Sequence, residues 1–287
     1  MCAGMTQFSR QMPRARPTPP PPPPRADVNS AAWEALPLPL SPAFMRPRAR
    51  EHMAALADFC AVLALTEADD QTPLEQRLGF LDMLELALSG AFGPAQTRPE
   101  LQAAVTLRQS LLKTGGSFQD MLALSDACRD TLKGALPRTL AAFRDHAARA
   151  GAPVLRHFLL LHEERDEAFL SRADDMARWW FALRHQAARL ARPDAGLPEA
   201  DEELRAESAR QAAGLWRNAG EKHARAQLLR LELLARRLSG RLARGGVCLA
   251  PRGAAPLLPP AEVLVRGAIS APHRAIINLR AWLTPRA

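Results

Sequence analysis

A chain of 287 residues in which 47% are hydrophobic has enough apolar material for one large core or two small ones, so a globular protein is expected over most of its length. The net charge of +8 does not point to nucleic acid. The charge is segregated, with 16 basic against 24 acidic residues in 51–203 and 10 against 3 in 204–245, and aromatic residues are not interleaved with the arginines.

The N-terminal stretch RQMPRARPTPPPPPPR, with six consecutive prolines and no acid before Asp27, predicts an extended, disordered arm over 1–42 with polyproline character. The arm reads as a solvated tail, with docking to a proline-binding module of a protein partner as the sharper alternative. Its arginines give it a faint likeness to a transit peptide, which the prolines oppose. The first 26 residues lack the apolar core of a signal peptide, and no run of 18 apolar residues predicts a spanning helix. The cysteines, Cys2, Cys60, Cys128 and Cys248, are too scattered for a zinc cluster or a disulfide framework, which suits a reducing compartment.

A single helical domain is expected over 43–287. Periodicity and punctuation place helices near 47–66, 73–89, 99–113, 118–133, 138–150, 153–165, 168–191, 199–219, 221–243 and 272–283. Thr72-Pro73-Leu74-Glu75 and Thr97-Arg98-Pro99-Glu100 read as capping boxes. Gly90, Gly115-Gly116, Gly134, Gly151, Gly220 and Gly240 read as stops, and Pro153 reads as a helix start. Strand signals are weak, so the expected fold class is all-α. The proline-rich stretch 251–262 reads as a surface loop.

Several residues offer chemistry. Asp126 and Asp130 stand four apart and share a helix face, as do Glu163 and Glu167; with Glu67, Asp69 and Asp70 they are candidates for a magnesium and diphosphate site. Each pair has a plainer reading as a solvated helix face. Ala147, Ala148, Ala150, Gly151 and Ala152 permit close helix approach or an apolar ligand against the backbone. Trp179, Trp180 and Phe181 read as core, or as the wall of an apolar cavity. His146, His157 and His162 read as core or solvent-facing histidines before they read as a metal site. No Gly-x-Gly-x-x-Gly, P-loop lysine, nucleophile-elbow serine or His-Glu-x-x-His is present.

Four passages resemble the squalene and phytoene synthase family, the all-α enzymes that join two prenyl diphosphates head to head. They are Pro47-Arg48-Ala49-Arg50 with Ala55 and Phe59; RLGFLDMLELALSG at 77–90; SDACRD at 125–130 with HAARAGAPVLRHFLLLHEE at 146–164; and Leu197-Pro198 after a long helix. The resemblance covers about 47–200 and implies a helical fold of the isoprenoid synthase type. It implies Arg48, Arg50, Glu67, Asp70, Asp126, Asp130, Glu163 and Glu167 as diphosphate or metal candidates. Phe59, His146, Gly151, Leu155, Phe158 and Trp180 become cavity-lining candidates.

The family's two aspartate-rich motifs are not matched. Counted from Pro47 without gaps, the first falls on Ala64, Leu65 and Ala68, and the second falls within the acid-free WWFALRHQAARL at 179–190. A tyrosine of the middle helices would sit near His146, and the chain has no tyrosine. Such degeneracy resembles the complex I assembly factor branch of the family.

The expected function is therefore a lipid- or prenyl-binding or assembly protein without head-to-head synthase activity, with no resident cofactor. One alternative is an active transferase that condenses prenyl diphosphates with magnesium held by non-standard ligands. The other is a basic helical adaptor. Expected partners are a prenyl diphosphate or another apolar lipid, and a membrane surface met by the basic C-terminal third; nucleic acid is not expected. The expected location is cytoplasmic, with peripheral membrane contact as an option, or mitochondrial for a eukaryotic source.

Overall fold

The computed structural model describes residues 30–92, 101–134, 139–191 and 198–243. The proline arm through residue 29, the capping box at 97–100, the loop at 251–262, the helix at 272–283, Cys2 and Cys248 lie outside the described residues.

The described chain runs as α1 (Ser30–Glu34), a 3-10 turn (Pro42–Phe44), α2 (Pro47–Ala68), α3 (Leu74–Ser89), α4 (Gln102–Thr114) and α5 (Phe118–Leu132). It continues as α6 (Leu140–Leu161), α7 (Glu167–Ala191), α8 (Pro198–Ala212), a 3-10 turn (Leu215–Arg217) and α9 (Lys222–Ala243). No strand occurs among the described residues, as the all-α expectation requires. No described helix is long and apolar enough to cross a membrane.

The helix ends follow from local chemistry. Pro47 opens α2, where its missing N–H costs nothing. Gly90 (φ 93°) and Gly115 (φ 69°) close α3 and α4 in the left-handed conformation that glycine adopts without a Cβ penalty. Ser117 and Thr139 cap α5 and α6 by accepting the amides of Asp120 and Ala142.

Four expectations about helix ends are corrected. The helices expected at 138–150 and 153–165 are one helix, α6, with Gly151 and Pro153 inside it. Proline removes one ladder donor and bends a helix, but α6 is packed between α5 and α7, and that packing outweighs the lost bond. Gly151 serves the interface instead: a Cβ there would lie 3.3 Å from the Cβ of Ala177 on α7. Gly240 likewise lies inside α9. The helix expected at 199–219 stops at Ala212, because Gly214 (φ 72°) turns the chain. The capping box at 72–75 does not form: α3 begins at Leu74 with no side-chain cap, and the Thr72 amide donates to Asp69 instead.

Packed structure begins well before residue 43. Ala32 and Trp33 of α1 are buried, and so are Leu36, Leu38 and Leu40 in a strap, bent at 36–38, whose alternating leucines are closed to solvent. Prolines at 37 and 39 have no N–H to satisfy, and their carbonyls are held from the far end of the chain. Arg184 donates to Pro37 O at 2.9 Å, while Arg230 and Gln227 both donate to Pro39 O. Gln227, fully buried, also accepts the Ser41 amide at 3.1 Å. Gln227→Leu removes both bonds from a buried site and is expected to lower stability by about 1–3 kcal/mol in urea denaturation. An unchanged midpoint would mean that the leucines and the two arginines hold the strap without Gln227.

Candidate functional site

The acidic candidates are distributed among separate arginines. Asp126 is exposed on α5 and lies 3.9 Å from Arg129, which also pairs with Asp82 and Glu85 of α3. Asp130, one turn on, pairs at 2.8 Å with Arg149 of α6. Glu163 and Glu167 do not share a helix face. Glu163 sits in the turn after α6 with a left-handed backbone (φ 67°), and Glu167 is the first residue of α7. They pair with Arg46 and Arg156, respectively, each at 3.2 Å. Arg156 is itself clasped by Asp174 through two bonds of 2.7 and 2.8 Å, which raises its pKa further above an already high value.

Glu67 is half-buried near the end of α2, and Asp70 is exposed just beyond it, accepting from Gln71. Arg48 is exposed and Arg50 half-buried in the first turn of α2. The structure therefore places these charged candidates at several helix ends and faces.

The apolar candidates do come together, as packed core. Phe59, Leu155, Phe158 and Trp180 belong to one buried cluster that runs through α2, α6 and α7. Gly151 meets α7 at Ala177. His146 stands in a smaller aromatic group, with its ring 5.2 Å from Phe181, which in turn lies 5.5 Å from Phe143. A depression of about 270 Å³ is lined by Leu88, Ser89, Arg108, Leu112, Phe118 and Leu122, and none of these is a cavity candidate.

Another group of titratable side chains gathers where three helix ends meet. His162 caps the C-terminal end of α6, Glu221 precedes α9, His223 lies in the first turn of α9, and Arg46 caps the start of α2. Glu221 Oε2 accepts the amides of His223 and Ala224 at 2.6 and 3.0 Å, so this carboxylate is the N-cap of α9. Its Oε1 lies 2.6 Å from His223 Nδ1 and 3.3 Å from Arg46. Glu164 accepts the Glu221 amide at 2.8 Å and fixes the turn from below.

His162 is fully buried against Phe158, with ring centroids 4.6 Å apart, and its ring stacks on His223 at 5.7 Å. Its Nδ1 lies 3.2 Å from Glu221 Oε2 without completing a hydrogen bond, and its Nε2 has no hydrogen-bond partner. Burial pulls the His162 imidazole down to about 4, against the opposing pull of the Glu221 carboxylate. Burial would raise Glu221, but hydrogen bonds from the His223 ring and from the two capping amides outweigh it and hold the carboxyl at about 2. The site thus pairs a neutral buried imidazole with a carboxylate anion.

The three histidines considered together from sequence do not meet. His146 packs on Phe181, His157 faces Gly116, and only His162 joins a cluster. Its partners were not visible in the sequence, because no spacing rule links the end of α6 to the start of α9. The nearest signal was Glu221 and His223 two apart at a predicted helix start.

No protein-family model matches the chain, and comparison with curated proteins gives no match.

Proposed function

We propose that this protein is a non-catalytic helical binding or assembly protein without head-to-head prenyl synthase activity. The observation that carries this reading is the fate of Asp126, Asp130, Glu163 and Glu167, which are engaged by Arg129, Arg149, Arg46 and Arg156. A magnesium clamp on a leaving diphosphate needs carboxylates that converge and keep their charge for the metal. Acids spread over α5, the turn after α6 and the start of α7, and each engaged by an arginine, do not meet that need. The acid-free run 179–190 in α7, with Trp179 and Trp180 buried, supports the same reading. The basic residues of 204–243, apart from the buried Arg230, are the surface offered to an anionic partner, membrane headgroups included.

Purified protein incubated with farnesyl or geranylgeranyl diphosphate and magnesium is expected to form no C30 or C40 product. Turnover that Asp126→Ala abolishes would establish the transferase reading in its place.

A further inference from the structure

We propose that His162, Glu221 and His223 form a zinc site that pins the end of α6 to the start of α9. The donor atoms of the three side chains already lie within 4.8 Å of one another. Ligands of a tetrahedral zinc at its usual bond lengths stand about 3.3 Å apart. His162 Nδ1 and Glu221 Oε2 match that spacing at 3.2 Å. The independent sign of a ligand is His162 itself: a fully buried imidazole with no hydrogen-bond partner at either nitrogen, set at the edge of the cluster. A buried polar group without a partner is costly, and a metal ion bound at Nδ1 of the neutral imidazole removes that cost for this nitrogen.

Two imidazoles and a carboxylate favour zinc over magnesium or calcium, which prefer oxygen ligands, and leave one position for water. His223 is the mobile ligand. Its Nδ1 must withdraw from the 2.6 Å contact with Glu221, and its side chain is 28% exposed and free to do so. Arg46, 40% exposed, is already bonded to Glu163 and can leave Glu221 when the metal neutralises it. Glu164, through the Glu221 amide, positions the carboxylate from outside the ligand set.

The test uses the full chain, stripped with chelator and titrated with zinc. One zinc per chain should be retained after dialysis, cobalt should give the visible absorption of a tetrahedral site, and saturating zinc should raise Tm by about 5–10 °C. His223→Gln, at a partly exposed position, is expected to fold normally and to weaken zinc binding at least tenfold. Glu221→Gln keeps a capping oxygen for α9 and should do the same. The proposal is overturned if the stripped protein retains no zinc, or if retained zinc and the cobalt spectrum survive both substitutions, which would place the metal elsewhere.

Discussion

Phe158→Ala is expected to lower stability by about 3–5 kcal/mol, read as a shift in the urea midpoint at unchanged slope. Phe158 is fully buried in the middle of α6, in a row with Val154, Leu155 and Leu159 that is also closed to solvent. Its ring contributes to the core that joins α2, α6 and α7, and it packs on His162 at the helix end. Alanine removes the transfer energy of the ring and leaves a void that a helix held between α5 and α7 cannot close by collapsing. Phe158→Met, which refills most of that volume with a flexible side chain, is expected to cost less than about 1.5 kcal/mol. A loss below 1 kcal/mol for the alanine variant would mean that Phe158 borders empty space, as the cavity-lining expectation had it.

The sequence made the helical class and most helix ends legible because those depend on local chemistry. Left-handed glycines at 90 and 115 and the proline at 47 act within one turn, so they read correctly. Gly151, Pro153 and Gly240 carry the same local signals, yet packing against neighbouring helices decides them. Glu163 shows the converse: it takes the left-handed position after α6 that glycine usually fills, held by Arg46, and nothing local marks it. The strap at 36–41 looked like the end of a solvated arm. Its alternating leucines were visible, but the groups that receive its carbonyls, Arg184, Gln227 and Arg230, come from α7 and α9. For the candidate site, i, i+4 spacing held for Asp126 and Asp130 on α5, failed for Glu163 and Glu167 because a turn separates them, and was silent on the arginines across from all four. It was equally silent on the meeting of His162 with Glu221 and His223, a consequence of tertiary packing alone.

Acid should destabilise the fold through His157, by about 3 kcal/mol between pH 6.5 and pH 4. This imidazole is 3% exposed on α6, and neither ring nitrogen has a hydrogen-bond partner. It is wedged under the α4–α5 turn so closely that a Cβ at Gly116 would fall 3.0 Å from the ring. Burial, reinforced by the charge of His52, lowers its pKa from 6.5 to about 4. The unfolded chain therefore takes up a proton near pH 6.5 that the folded chain refuses until about pH 4. The contribution is whole above pH 6.5, falls as the pH drops through that window, and levels off below about 4, where both states are protonated. Other groups titrate over the same range, so the informative quantity is a difference between two proteins. His157→Leu replaces two unpaired buried nitrogens with apolar atoms, and its urea midpoint should fall less steeply than that of the unsubstituted protein between pH 7 and pH 4. Parallel profiles would show that the His157 ring takes up its proton inside the folded protein, through water or a shift of the Gly115-Gly116 turn that opens a path to solvent.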